Sequence, residues 1–122
     1  MVRAYRRTGP PPILHVEPSS HDAVPETKDV YANGKHIGVY RVYISHLGLA
    51  TIGWVAVRGD VRGRGYGRLI VEKILDDLRA KGVTLVTLLA TEEARPFWGH
   101  MGFYVVEEPS KDSMLTAMEK RL

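Results

Sequence analysis

The chain has 122 residues, with 17 Lys and Arg against 14 Asp and Glu, so its formal net charge is +3. At roughly 100–150 residues per domain, this length predicts one domain over residues 1–122. The sequence has no cysteine, which excludes a disulfide framework, a thiolate zinc site and a cysteine nucleophile. It has no apolar run near the roughly 18 residues of a membrane span, and no apolar signal core at its N-terminus. We therefore expect a cytoplasmic protein without a membrane partner.

Residues 1–29 predict a shortened, proline-rich N-terminal arm. They contain Arg3, Arg6 and Arg7, followed by three prolines at positions 10–12. Proline lacks the amide donor of a helix interior, so this arm cannot form a long helix. We expect one edge strand at residues 13–16 and loop elsewhere, with a proline-rich ligand for another domain as the alternative.

Three strands are predicted next. Residues 30–32 and 36–45 flank an Asn33-Gly34 pair, which is typical of a tight hairpin because both residues tolerate positive φ. Residues 51–57 form the third strand. Its nearly continuous apolar run predicts burial on both faces.

An amphipathic helix is predicted over residues 66–81, since Ile70, Ile74 and Leu78 recur at a spacing of four and Gly82 follows. A buried strand over residues 83–90 comes next. Thr91 is expected to cap a short helix over residues 93–100, and two strands follow at residues 103–107 and about 114–120.

This order of elements defines the fold class. A strand, helix and strand in succession place the strands ending at Val57 and starting at Val83 as parallel neighbours, whereas the hairpins make the other pairs antiparallel. We predict an α/β fold of the α+β type, with a mixed, mostly antiparallel central sheet and flanking helices. Residues 58–68 lie at the carboxyl end of a central strand, where open sheets form ligand crevices.

Residues 58–68, the glycine–arginine segment, carry the clearest chemical signal. Glycines at 63, 65 and 67 leave little side-chain bulk before the helix, so backbone amides can converge on an anion, above all a pyrophosphate. Four arginines against one aspartate give this segment a net charge of +3, equal to the excess of the whole chain. We therefore favour a local anion site over a nucleic-acid surface.

The spacing of the glycines narrows the class of phosphate ligand that this segment could bind. The dinucleotide pattern G-x-G-x-x-G fails because its third glycine falls on Arg68, and the P-loop fails for want of Gly-Lys-Ser/Thr. The pattern R-x-x-G-x-G fits at Arg62, Gly65 and Gly67. Here the chain resembles the GNAT superfamily of acyl-coenzyme A dependent N-acyltransferases, whose pyrophosphate motif is Q/R-x-x-G-x-G/A between a strand and a helix.

Two further stretches carry the resemblance, which covers roughly residues 30–122. Upstream, the family pattern V-x-P-x-x-R-G-x-G-x-G is matched from Val57, except that Gly59 replaces the proline. Downstream, the family's A-x-x-F/L-Y-x-x-x-G-F pattern is matched at Ala94, Phe97 and the pair Gly102-Phe103. The fold implied is the GNAT-like acyl-CoA N-acyltransferase fold.

The resemblance implies acetyl-coenzyme A as co-substrate and no metal. Acetyl-coenzyme A would lie in a cleft where the two parallel strands splay apart. The backbone at Ala56 and Val57 would pair with its pantetheine arm, and an exposed amide near Val57 would stabilise the oxyanion. Thr91 and Trp98 take the family's downstream cofactor positions. The amides that would hold the pyrophosphate are those of Arg62, Gly63, Arg64, Gly65, Tyr66, Gly67 and Arg68.

The departures from the family leave the catalytic residues unassigned. Trp98 stands where a tyrosine commonly protonates the leaving thiolate, Thr91 replaces an asparagine, and residues 51–57 contain no carboxylate for a general base. His46, Glu92 and Tyr104 are weak catalytic candidates. Each has a simpler interpretation: a surface hairpin histidine, a carboxylate at a helix start and an ordinary strand tyrosine.

The implied function is N-acetyl transfer from acetyl-coenzyme A to a primary amine, on a small molecule or a protein, by direct attack in a ternary complex. The alternative is a catalytically weak acyl-CoA-binding module that regulates a protein partner; nucleic-acid binding through the arginines is a third hypothesis. Family members usually carry one or two helices after the first strand, for which residues 1–29 are too short. Either the acceptor site is open or a second subunit of a homodimer completes it.

Overall fold

The computed structural model describes residues 10–122, so Arg3, Arg6 and Arg7 of the arm lie outside the described residues. Within that range the strands are β1 (Leu14–Pro18), β2 (Thr27–Ala32), β3 (Lys35–Ile44), β4 (Leu49–Val57), β5 (Leu85–Ala90), β6 (Tyr104–Glu107) and β7 (Thr116–Arg121). The helices are α1 (Tyr66–Ala80) between β4 and β5, and α2 (Arg95–His100) between β5 and β6. A 3-10 turn, Gly59–Val61, follows β4.

The strands form a seven-stranded sheet in the order β1-β2-β3-β4-β5-β7-β6. β4 and β5 pair in parallel, from Leu49 opposite Leu85 to Ile52 opposite Leu88, and α1 makes the crossover. The pairs β1–β2, β2–β3, β5–β7 and β6–β7 are antiparallel. The predicted mixed, mostly antiparallel sheet with flanking helices is confirmed, as is an edge strand in the proline-rich arm.

The chain packs as two compact units. Among the described residues, the first comprises residues 10–41 together with Trp54–Ile74, and the second comprises Val42–Gly53 together with Leu75–Leu122. One domain over residues 1–122 stays a prediction. Buried apolar side chains of the first unit include Val30, Ile37, Val61, Ile70, Val71 and Ile74, and those of the second include Leu75, Leu78, Val86, Leu88, Phe103 and Met118.

In the first unit, backbone geometry fixes the β2–β3 hairpin and its packing. Asn33 and Gly34 have φ of 53° and 80°, which confirms the predicted turn. Gly38 of β3 has no room for a side chain: a Cβ there would lie 2.5 Å from the Ala56 carbonyl oxygen and 3.0 Å from Ile70 Cδ1. Glycine at this position therefore lets β4 and α1 approach β3 closely.

The link between β1 and β2 contains no helix. The Asp22 carboxylate holds it, accepting the Val24 amide at 2.8 Å and Arg41 Nη2 at 2.6 Å. The hydrogen bond from the Val24 amide is the largest effect and lowers the pKa of Asp22. Burial opposes it, but with the added charge of Arg41 the pKa stays below its usual value. These two contacts hold the link between β1 and β2 in place.

The prediction that residues 51–57 are buried on both faces was wrong, and the strand predicted as buried over residues 83–90 is buried on one face only. In β4, Ala50 and Ile52 are buried whereas Thr51 and Gly53 are exposed. In β5, Val86, Leu88 and Ala90 are buried, whereas Leu89 is 63% exposed. Successive side chains of a strand point to opposite faces, and an apolar sequence alone does not reveal that only one face is packed.

Candidate functional site

At the end of β4, Val57 turns its backbone polar groups away from β3. The Arg58 amide donates to the Ile37 carbonyl of β3 at 2.8 Å. Because the described peptides are all trans, the Val57 carbonyl points the opposite way. The Ala56 carbonyl lies against Gly38 of β3, so the Val57 amide also points away from that strand. The structure thus distinguishes Ala56 from Val57, which the resemblance treats alike.

The 3-10 turn anchors the glycine–arginine segment to the first unit. The Val61 amide donates to the Arg58 carbonyl at 3.1 Å, and the Val61 side chain is buried. Arg62 then takes an extended conformation, with φ −65° and ψ 157°. The buried Val61 side chain holds the first part of the segment in place, so the position at which Arg62 and the glycines begin is defined.

The two glycines that follow adopt the left-handed conformation, with φ of 78° at Gly63 and 79° at Gly65. A Cβ built on either would meet nothing within 4 Å, so both border open space. The Leu69 amide makes the first bond back to the helix start, to the Gly65 carbonyl at 3.2 Å. The amides of Gly67 and Arg68 precede it, in the turn that has no intrahelical acceptors. Left-handed glycines before a helix N-terminus make an anion site of this kind.

Charge supports that assignment. The first turn of α1 has no acidic residue, so no carboxylate there opposes an anion, and Arg62 Nε donates at 3.1 Å to the Val57 carbonyl oxygen. Two of the other arginines are in ion pairs, Arg58 with Asp60 at 3.2 Å and Arg68 with Glu72 at 2.9 Å.

Lys35, which the sequence did not single out, lies in the β2–β3 hairpin and contacts a charged residue of the glycine–arginine segment. Its Nζ lies 3.3 Å from Asp60 Oδ2. Partial burial raises the pKa of Asp60, but the hydrogen bond from Lys35 and the charge of Arg58 outweigh it and hold that pKa below its usual value. Asp60 is therefore ionised at neutral pH and ties the hairpin to the glycine–arginine segment.

In the second unit, Thr91 and Trp98 serve local structure. Thr91 Oγ1 accepts the Ala94 amide at 3.3 Å, which stabilises a turn, and α2 begins later than predicted, at Arg95. Trp98 is 8% exposed. Its ring centroid lies 5.1 Å from that of Phe97 and 5.3 Å from that of Phe103, and both pairs are edge-to-face. Trp98 is thus part of an aromatic core cluster.

The three weak catalytic candidates lie on separate elements of the second unit. His46 is exposed in the loop after β3, and Glu92 is exposed in the turn before α2. Tyr104 is 43% exposed on β6, the edge strand. The described residues contain no cluster of three or more His, Asp or Glu able to hold a metal ion.

Comparison with known proteins identifies the family. The sequence profile of the Acetyltransferase (GNAT) family matches residues 4–103. That range exceeds half of the chain, so the chain belongs to this family. The match begins well before residue 30, so the likeness extends further into the N-terminal arm than the motifs alone indicate.

The chain is also similar to particular proteins. It is 33% identical over 54 residues to the uncharacterized N-acetyltransferase ycf52 of Gracilaria tenuistipitata var. liui, covering 44% of this chain and 30% of that protein. It spans less than half the length of this relative and of the ycf52 protein of Pyropia yezoensis, of which it covers 41%.

Solved structures share the fold. The IAA acetyltransferase from Bacillus cereus ATCC 14579 aligns with a TM-score of 0.72 at 13% identity, over 90% of this chain and 100% of that one. The PaiA N-acetyltransferase of Thermoplasma acidophilum, solved in complex with coenzyme A, aligns with a TM-score of 0.68 at 16% identity, over 79% and 60%. Across residues 10–122, no helix has the length and apolar character to cross a membrane.

Proposed function

We propose that this chain is an acyl-CoA dependent N-acetyltransferase that transfers acetyl from acetyl-coenzyme A to a primary amine. The observation that carries the proposal is the pair of left-handed glycines, Gly63 and Gly65, bordering open space before α1. Membership in the GNAT family and the likeness to an acetyltransferase solved with coenzyme A support it.

The pyrophosphate of the co-substrate would bind the amides of residues 62–68. The start of α1 attracts negative charge, and no acidic residue in its first turn offsets that attraction. Open space at both glycines leaves room for phosphate oxygens to approach the backbone, which a β-carbon pointing into that space would obstruct. We do not include Trp98 among these contacts, since its ring packs against Phe97 and Phe103.

At the reacting end, the Val57 amide points away from β3 and is the donor that we assign to the thioester carbonyl. The free amine attacks the carbonyl carbon, and the resulting oxyanion accepts a hydrogen bond from this amide. The C–S bond then breaks, coenzyme A leaves as a thiolate, and the amine nitrogen loses its proton to water. A thiolate whose thiol has a pKa of about 8.5 leaves without an acid catalyst, so transfer does not require a tyrosine at position 98.

The second candidate function is an acyl-CoA-binding module that regulates a protein partner. One observation favours it: the family's acid position is Trp98, 8% exposed in an aromatic cluster. Both candidates bind the same co-substrate, so turnover separates them. An open acceptor site, a homodimer and a cytoplasmic location stay predictions.

Two measurements test the proposal. Calorimetric titration with coenzyme A should give saturable one-to-one binding that weakens as salt rises, because the site neutralises phosphate charge. Incubation with acetyl-coenzyme A and a panel of amines and amine-bearing peptides should release free thiol together with acetylated amine. Absence of binding at millimolar coenzyme A contradicts both candidates, whereas binding without turnover on any amine favours the module.

A further inference from the structure

The bond between Arg62 and Val57 assigns Arg62 a role distinct from charge. Arg62 Nε lies 3.1 Å from the Val57 carbonyl oxygen, five residues earlier in the chain. That carbonyl points away from β3, because the next amide is engaged by Ile37. A strand-end carbonyl without a ladder partner can accept from a side chain, and Arg62 Nε is the donor here.

We propose that Arg62 is a positioning residue: its Nε–H donates to the Val57 carbonyl and closes the loop between the end of β4 and the backbone amides of residues 63–68, which we call the nest. Together with buried Val61, this bond fixes where Gly63 begins and so aims the following amides at the anion. The inference rests on the proposed function, since the anion is taken to be the pyrophosphate of coenzyme A.

Side-chain chemistry makes this role separable from electrostatics. Nε of arginine and Nε2 of glutamine are both bonded to Cδ, so a glutamine donor lies the same number of bonds from the backbone. Lysine has a methylene group at that position, and its ammonium lies one bond further out. Arg62→Gln therefore keeps the donor in place and loses the charge, whereas Arg62→Lys keeps the charge but moves the donor one bond further out. Arg62→Met loses both.

The experiment measures the coenzyme A dissociation constant and the melting temperature of these variants. We expect Arg62→Lys and Arg62→Met to bind about 5- to 10-fold more weakly than wild type, the value of one hydrogen bond, and Arg62→Gln to stay within about 3-fold. Arg79→Lys and Arg79→Met are matched controls, because Arg79 is exposed near the end of α1 and pairs with Asp76; they should bind as wild type.

If Arg62→Lys binds coenzyme A as tightly as wild type while Arg62→Gln binds it more weakly, the proposal is overturned, because charge would then be the property that matters. Equal weakening in both variants, or no weakening in any, overturns it as well. Loss of the positioning bond should also lower the melting temperature of Arg62→Lys and Arg62→Met, whereas Arg62→Gln should melt as wild type does.

A second measurement does not need the ligand. In ¹⁵N NMR spectra of the free protein, the Arg62 Nε–H should exchange with water more slowly than that of Arg79 by at least about 10-fold, because it is hydrogen-bonded to a carbonyl in a closed loop. Equal exchange rates contradict the bond. If wild type fails to bind coenzyme A while this protection is present, the proposed function fails but the positioning bond stands.

Discussion

Two regions that resemble the same family behave differently in the structure. Residues 58–68 are distinguished by their backbone, with two left-handed glycines, a helix start and a carbonyl that accepts from Arg62. Residues 91–103 match the family through side chains, and here Thr91 stabilises a turn while Trp98 packs into an aromatic core. A site made of backbone amides depends on conformation, which glycine spacing encodes locally. A site made of side chains depends on burial, which distant parts of the chain determine.

The largest expected effect concerns the second region. Trp98→Ala should lower the free energy of unfolding by about 3–5 kcal/mol, because a large buried ring leaves a cavity between Phe97 and Phe103. Urea denaturation followed by circular dichroism measures the change. Trp54, the other tryptophan, is 37% exposed with Arg41 over its ring, so Trp54→Ala is the matched control and should cost about 1 kcal/mol or less.

A cost below about 1 kcal/mol for Trp98→Ala would contradict the core role of this residue. If the variant is too unstable to purify, Trp98→Phe keeps an aromatic ring in the cluster and should bind coenzyme A as wild type does. A loss of coenzyme A affinity in Trp98→Phe at unchanged stability would instead restore Trp98 to the cofactor site.

The next effect concerns the first region. Gly65→Val should weaken coenzyme A binding about 100-fold, equivalent to about 2.7 kcal/mol, because the substitution disturbs the nest and fills the open space beside it. Gly82→Val is the control, since Gly82 has φ of 81°, against 79° at Gly65, and also borders open space.

Both valine variants should lose about 1–2 kcal/mol of stability, because a β-branched residue is strained in the left-handed region. Only Gly65→Val should lose affinity in calorimetric titration. Equal affinities for the two variants would mean that the nest does not bind the ligand.

The smallest effect sharpens the electrostatic part of the comparison. Asp60→Asn removes the carboxylate that pairs with Lys35 and Arg58, so the glycine–arginine segment becomes more positive. We expect coenzyme A to bind about 2- to 3-fold more tightly at low salt, with the gain disappearing at high salt as the charges are screened. Tighter binding that persists at 1 M salt would contradict this explanation.

The same variant has a pH signature. The folded-state pKa of Asp60 is lowered, so its ion pairs stabilise the protein above its ordinary pKa of about 3.9 and this stabilisation is lost as pH falls through the folded value. Asp60→Asn should therefore melt below wild type at pH 7, and the difference should shrink below about pH 3.9. A difference that grows on acidification would contradict the sign of the shift.

Much of the fold and of the nest could be predicted because the signals are local. Asn33-Gly34 specifies a hairpin turn, the spacing of Ile70, Ile74 and Leu78 specifies α1, and the glycines before α1 allow backbone amides to converge on an anion. The sequence alone also predicted the family, the strand order around α1 and the concentration of positive charge at residues 58–68.

The tertiary structure decided which surfaces of those elements are covered and which groups meet. It buried one face each of β4 and β5, brought Lys35 to Asp60, placed the Ala56 carbonyl against Gly38 and left the Val57 groups pointing away from β3. It also made Trp98 a core residue. These outcomes depend on contacts between residues far apart in sequence, whereas a glycine permits the left-handed conformation through its own lack of a side chain.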